Sequence, residues 1–350
     1  MSEFVTPPAL EPGDEVAIAA PASGLASMFP HVYERGLDRL RTVFDLEPVE
    51  LPTATKSDSY LHNNPEARAR DIETAFADPE VRGVVATIGG NDQIRVLKHL
   101  DTEGLRDNPT RFYGSSDNTN LAHALWKQGI VSFYGGTLLT DLAFPGPFPA
   151  YLETALRSAF FAESIGAIRP APAFTDEDLN WEDPENLHRQ PEMEDNPGWE
   201  WRGGEDTVTG RTWGGSFEVT HQQVAADRYL PSPDALDGSV LLLETSEELP
   251  GPDLVQRMLL GLGERGLLER FDGFLVGRIK ARSHAVARSK QERERYRRQL
   301  RETIAESLTE YNDTAPIVFN VDFGHTHPVV PVPIGGTVEV DPQRERIAFE

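Results

Sequence analysis

The residues best suited to chemistry in this chain run Phe112-Tyr113-Gly114-Ser115-Ser116-Asp117-Asn118-Thr119. The apolar start reads as a strand, and the Gly-Ser turn leads directly into a helix expected over residues 118–128. A serine at such a turn holds its hydroxyl clear of the backbone, and the next amide points the same way at the helix N-terminus. The pattern therefore combines a nucleophile with one half of an oxyanion hole. Ser115, Ser116 and Asp117 are also common helix-capping types, so the turn alone leaves a plain cap open.

A serine nucleophile needs a base, and histidine is the side chain poised for that near neutral pH. The base in turn needs a carboxylate to fix its tautomer and to stabilise the imidazolium. Two more strand ends supply these types. Glu244 closes the apolar run Val240-Leu241-Leu242-Leu243, and His325 follows Val321-Asp322-Phe323-Gly324. Sheets of the α/β class place ligands at the carboxyl edge of their strands, where all three residues fall. The chain order Ser, Glu, His is permitted, because triads are defined by geometry.

Positioning these residues requires sheets, and the pattern supplies them. With 350 residues the chain exceeds one ordinary core, so two domains are expected. Residues 1–165 alternate strand and helix patterns as a parallel sheet requires. Strands are predicted over 16–20, 47–51, 81–88, 111–114 and 130–134, and helices over 30–44, 65–76, 93–100, 118–128 and 151–163. Asn64-Pro65 is a cap and first-turn pair for the second of these helices. Residues 166–205 are expected to connect the domains. Their stretch 174–201, rich in Asp, Glu and Pro with Trp181, Trp199 and Trp201, reads as neither strand nor helix. Residues 206–350 form a second domain, with strands at 211–219 (broken by Gly214-Gly215), 239–244, 273–279 and 316–323. Helices are expected at 253–262 and 286–311, with a closing hairpin around Asp341-Pro342. The expected fold is thus α/β: an N-terminal parallel-sheet domain with flanking helices plus a smaller, β-rich α/β domain, the active site lying in the cleft between them.

Composition narrows the class further. The chain has no cysteine, which excludes disulfides and thiolate zinc sites. No apolar run reaches the ~18 residues of a membrane span, and the polar, Pro-rich start shows no secretory signal, so a cytoplasmic protein is expected. The net charge is −24, and Lys56, Lys98, Lys127, Lys280 and Lys290 are the only lysines. Such a balance argues against nucleic acid polymers and anionic membranes as partners.

Taken together, Gly114-Ser115-Ser116-Asp117, the strand-end Glu244 and Asn320-Val321-Asp322-Phe323-Gly324-His325 resemble the LD-carboxypeptidase family of serine peptidases. The opening Gly13-Asp14-Glu15-Val16-Ala17-Ile18-Ala19-Ala20-Pro21-Ala22-Ser23 and the 68–71 stretch are similar to that family as well, so the resemblance covers nearly the whole chain. It implies Ser116 as nucleophile, Glu244 as orienting acid and His325 as base, with the backbone amides of Gly90 and Asp117 as oxyanion donors. It also implies a homodimer and no metal or organic cofactor. The Gly89-Gly90-Asn91 turn, the Asp-Phe-Gly-His segment and Trp181-Glu182-Asp183 look more like the microcin C immunity peptidase branch than the murein-trimming one. That branch implies a small peptide or aminoacyl-nucleotide substrate, contacts from Gly89 and Asn91, and a tryptophan, here Trp181, stacked on the base. Trp181 could equally anchor the acidic segment by packing.

Three rival readings stand beside this one. His325-Thr326-His327 with Asp322 could bind zinc or manganese, although the remaining histidines do not cluster with carboxylates. Gly89-Gly90-Asn91-Asp92 resembles a phosphate loop with the aspartate displaced. A non-catalytic small-ligand binding protein is the reading from another class.

The charge makes a direct prediction. A surface this acidic and lysine-poor self-repels in dilute buffer, whereas about 1 M salt screens charges to within about 3 Å. The protein is expected to be halophilic and to unfold when dialysed into low salt, as followed by circular dichroism; full stability there contradicts the expectation.

Overall fold

Prolines set two of the principal helices. Pro30 and Pro65 occupy first-turn positions of Pro30–Phe44 and Pro65–Ala77, where the missing N–H costs nothing. Asn64 does not cap the second of these: its amide donates to Tyr60 O at 2.8 Å. The longest helix, Lys290–Tyr311, starts on a capping box in which Ser289 Oγ accepts from the Glu292 N–H and Glu292 accepts from the Ser289 N–H.

The computed structural model describes residues 3–350, which divide into two compact units. The first takes the described residues up to Ser164 together with Leu179–Pro191 and Val329–Gly335. Its strands are β1 (Glu15–Ala19), β2 (Glu47–Glu50), β3 (Val81–Ala86), β4 (Arg111–Gly114) and β5 (Ser132–Tyr134). All five run parallel in the order β5-β4-β3-β1-β2, and the late strand Val332–Ile334 pairs antiparallel with β5 at the edge. The chain therefore leaves β1 in one direction and returns on its other side as β3, so the topological switch lies between them. Ligands of open α/β sheets bind outside the carboxyl ends at such a point. The turns after β1, β3 and β4 all open on that edge.

The second unit takes Ile165–Asp178, Glu192–Pro328 and Gly336–Glu350. Its strands are β6 (Gly166–Ile168), β7 (Ala173–Phe174), β8 (Glu194–Asp195), β9 (Glu200–Gly203), β10 (Val208–Ser216), β11 (Ser239–Glu244), β12 (Phe271–Gly277) and β13 (Pro316–Val321). With Val332–Ile334 counted as β14, the last two are β15 (Thr337–Asp341) and β16 (Arg346–Phe349). Eight strands form a sheet ordered β6-β16-β15-β10-β11-β12-β13-β9, whose centre, β10 to β13, is parallel. β15 and β16 form the expected closing hairpin.

Several expectations need correction. Residues 93–100 form two short 3₁₀ turns, Gln93–Arg95 and Leu97–His99, rather than one helix. Gly214-Gly215 does not break its strand: β10 runs through to Ser216, and a Cβ on Gly214 would lie 2.1 Å from Leu242 O of the neighbouring strand. Residues 217–219, expected as strand, begin the helix Phe217–Ala226. The acidic stretch 174–201 holds β8, part of β9 and a 3₁₀ turn, Pro184–His188. Its carboxylates are neutralised by cations of the later sequence. Fully buried Asp176 pairs with Arg282 (2.8 Å) and Arg297 (2.5 Å), and Lys280 reaches Asp178 at 2.8 Å. Burial works against ionising Asp176, yet the two guanidiniums hold its carboxyl below the usual range.

Candidate active site

Ser116 lies just beyond β4 with φ +59°, a left-handed conformation that few non-glycine residues adopt. Local bonds hold it there. Its N–H donates to Tyr134 Oη at 2.8 Å, and its carbonyl accepts from Thr119 Oγ1 at 2.7 Å. Asn118 Nδ2 donates to Ser115 O (2.9 Å) and to Ile88 O (3.1 Å), tying this turn to the one after β3. Gly89 of that second turn faces the serine. A Cβ at Gly89 would lie 2.7 Å from Ser116 Cβ, 3.1 Å from its Oγ and 3.4 Å from the Asp117 nitrogen. Gly90 is exposed, as is Asn91, while Ser116 is half-buried. Ser116, Asp117, Gly89 and Gly90 thus share one carboxyl edge of the first unit.

Asp117 is fully buried and structural in its side chain. Its carboxylate accepts from the Gln93 N–H at 2.8 Å and from Asn120 Nδ2 at 2.9 Å. Burial pushes its pKa up to about 6, against those hydrogen bonds. Gln93 also donates to Asn118 Oδ1 and accepts from the Leu121 N–H, so it links the 3₁₀ turn to the helix behind Ser116.

In the second unit Glu244 and His325 meet. His325 Nδ1 lies 2.7 Å from Glu244 Oε2, although β12 separates the strands that carry them. Two glycines make the approach possible. A Cβ at Gly277, the end of β12, would lie 2.8 Å from Glu244 Cβ and 2.7 Å from Phe323 O. A Cβ at Gly324, where φ is +100°, would lie 2.8 Å from Glu244 Oε2. Glu244 itself is buried.

Two carboxylates that the sequence pattern did not single out complete this half. Glu247, more than half exposed, places Oε2 2.8 Å from His325 Nε2. Glu218 accepts from both the N–H and the hydroxyl of Ser246 at 2.9 Å, which pins the turn carrying Glu244 and Glu247. A glutamate in a surface turn or a helix's first turn is so common that only the folded geometry marks these two. Carboxylate acceptors at both ring nitrogens are satisfied together only by the imidazolium, in which both nitrogens donate. Burial disfavours that charge, but Glu244 and Glu247 outweigh it and raise the His325 pKa well above the ordinary value. Although its surroundings work the other way, the imidazolium draws the Glu247 carboxyl down to about 2. Burial and the nearby Glu244 charge push Glu218 up to about 7.

Elsewhere, half-buried Trp181 meets Phe29 edge-on, with ring centroids 5.5 Å apart. Asp322 is taken by Arg278 (3.0 Å) and the Ala171 N–H (3.1 Å). Among the described residues no group of three or more His, Asp or Glu side chains is arranged to hold a metal ion.

A serine held in the left-handed region at the carboxyl edge of a parallel sheet and a strand-end carboxylate–imidazole pair are features of α/β serine hydrolases. The sequence model of the LD-carboxypeptidase N-terminal domain matches residues 16–135, and that of the LD-carboxypeptidase C-terminal domain matches residues 209–340. The chain belongs to the LD-carboxypeptidase family and is a serine peptidase-type hydrolase. A carboxypeptidase-named protein of Vibrio cholerae is 30% identical over 95% of this chain and 94% of its own length. The microcin C7 self-immunity protein MccF of Escherichia coli is 24% identical over 84% of this chain and 81% of its own. The solved structure of an MccF-like protein from Streptococcus pneumoniae in complex with AMP matches with TM-score 0.85 at 28% identity, over 97% of this chain and 99% of that one. MccF in complex with glutamyl sulfamoyl guanosine shares the fold, with TM-score 0.81 at 20% identity over 98% and 97%.

The double carboxylate contact sets a titration. The ring of His325, read by NMR of its Cε1 proton and assigned with His325→Asn, should titrate above the ordinary 6.5. Replacing Glu247→Gln removes one of the two stabilising charges and should move the midpoint down. A wild-type midpoint at or below 6.5, or no movement in the variant, contradicts the arrangement.

Proposed function

We propose that Ser116, His325 and Glu244 act as nucleophile, general base and orienting acid. The observation that carries this reading is the left-handed Ser116 at the carboxyl edge of the parallel sheet, φ +59°, against a glycine whose side chain would collide with it. Strain of this kind costs on the order of 1–3 kcal/mol and persists where function needs it. The Glu244–His325 contact at 2.7 Å supplies the other half.

In this mechanism Ser116 Oγ attacks the substrate carbonyl while His325 Nε2 takes its proton. The oxyanion rests on the amides of Gly90 and Asp117, and Glu244 holds the ring through Nδ1. His325 then protonates the leaving group, the Ser116–acyl bond remains, and water cleaves it by the reverse path. Nε2 must first be free, so Glu247 swings away and the ring loses its second proton. Its exposure allows that rotation. Activity therefore rises as pH passes the raised His325 pKa, the imidazolium being inactive as a base.

The substrate we assign is an aminoacyl-nucleotide conjugate or a small peptide, cleaved at a terminal amide-type bond. The AMP held by the Streptococcus pneumoniae neighbour supports the nucleotide. Half-buried Trp181 offers a ring for the base, where stacking is worth about 1–3 kcal/mol, and Gly89 and Asn91 border the carbonyl end. We further propose that the protein pairs as a homodimer in a salt-rich cytoplasm. The charge of −24 supports the salt, and the family resemblance the pairing.

The test is hydrolysis of an aminoacyl sulfamoyl adenosine in about 2–3 M potassium chloride, which screens the acidic surface. Wild type should turn it over, and Ser116→Ala should fall by about 10³-fold or more, the scale for triad residues. Ser116→Ala that retains wild-type turnover overturns the nucleophile. A folded wild type that ignores this substrate but trims peptides overturns the nucleotide alone.

A further inference from the structure

The turn after β1 carries a hydroxyl whose bond has a consequence for the oxyanion hole. Ser23 Oγ donates to Gly89 O at 2.7 Å. A trans peptide is planar with its C=O and N–H antiparallel, so fixing the Gly89 carbonyl fixes the direction of the Gly90 N–H. That N–H points away from Ser23. We infer that Ser23 is a positioning residue for the Gly90 amide, holding one oxyanion donor in its working direction; this rests on the reading of Ser116 as nucleophile and Gly90 as donor.

The need for such a restraint follows from the glycines. Gly89 has no room for a side chain, because Ser116 fills the space. Gly90 is nearly as tight, since a Cβ there would lie 3.2 Å from Ala22 and from Ser23 Cβ. A peptide flanked by two glycines can flip with little steric penalty. Ser116 on one side and the Ala22-Ser23 turn on the other thus exclude the side chains that would otherwise restrict the peptide, and a hydrogen bond from outside the turn restores the restraint.

The Ser23 turn is itself anchored. Fully buried Arg68 donates from Nη1 to Ala22 O at 2.7 Å and pairs with Asp92 Oδ1 at 2.8 Å. One guanidinium therefore joins the turn after β1 to the turn after β3, on either side of the Ser23–Gly89 bond. Asp92 is also held by His62 at 2.8 Å and Arg95 at 3.1 Å. Burial opposes its ionisation, but these partners, Arg68 first, keep its carboxyl below the usual range. Ser23 is half-buried and its carbonyl partner Gly89 is buried.

The experiment compares wild type, Ser23→Ala, Ser23→Thr and Ser116→Ala by the rate at which an alkyl fluorophosphonate phosphonylates the protein, alongside thermal unfolding. Attack on phosphorus needs the nucleophile and the oxyanion donors, and fluoride leaves as the Ser–O–P bond forms, so no substrate leaving group has to be recognised. Loss of one oxyanion donor costs about 10²–10³-fold, so its misorientation in Ser23→Ala should slow labelling by about 10- to 100-fold. Ser23→Thr, which keeps the hydroxyl, should react within about 3-fold of wild type, and both should remain folded at the assay temperature. Ser23→Ala reacting like wild type while Ser116→Ala does not react overturns the role of Ser23 and leaves the nucleophile standing. Equal slowing in Ser23→Thr also overturns it, because turn packing and not the hydroxyl would then be responsible. Labelling of Ser116→Ala at the wild-type rate overturns the nucleophile reading itself.

Discussion

The backbone of Ser116 is the constraint on which the first unit's functional edge depends. At φ +59° the chain turns sharply enough to lift the serine off β4, at a cost that nearby bonds must offset. Tyr134 accepts its N–H, Thr119 donates to its carbonyl, and Asn118 ties the turn to Ile88. Tyr134 comes from β5, Thr119 from the following helix and Ile88 from the turn after β3, so three separate parts of the chain fix this turn. Gly89 is the corollary: the strained serine occupies the volume that any side chain there would need.

The second unit solves a different problem, that of joining two residues across an intervening strand. Glu244 and His325 leave β11 and β13, and β12 lies between. Gly277 and Gly324 clear the path, and Glu218 holds the turn through Ser246. The result places a negative group at each ring nitrogen. Glu244 is buried and bound at Nδ1, whereas Glu247 is exposed at Nε2 and can leave. The difference in burial separates the permanent partner from the displaceable one.

Much of this was legible from residue types. Val240-Leu241-Leu242-Leu243 announced a buried parallel strand, and the Pro30 and Pro65 helices begin where expected. The serine turn and both strand-end residues could be picked out for the same reason: strands of this class end in chemistry. What escaped was set by contacts distant in sequence. Residues 58–63 form a helix capped by Ser57 without any apolar periodicity to reveal it. The acidic stretch 174–201 looked unstructured because its partners, Lys280, Arg282, Arg293 and Arg297, lie some hundred positions on. Gly214-Gly215 looked like a break because a glycine pair gives no sign of the carbonyl it must accommodate. Glu218 and Glu247 carry no local signature, and the family-like opening that ends in Ser23 does not reveal its bond to Gly89, since these roles depend on which turn the fold brings beside them.

The proposed roles of Ser116 as nucleophile and His325 as its base can be tested together. A crystal structure of the protein phosphonylated on its nucleophile, grown in high salt, tests this most directly. The account predicts phosphorus on Ser116 Oγ, His325 Nε2 within about 3.2 Å of that oxygen or joined to it by one water, and Glu247 rotated off the ring. Phosphorus on another residue, or an imidazole too far away for a single water to bridge, contradicts it.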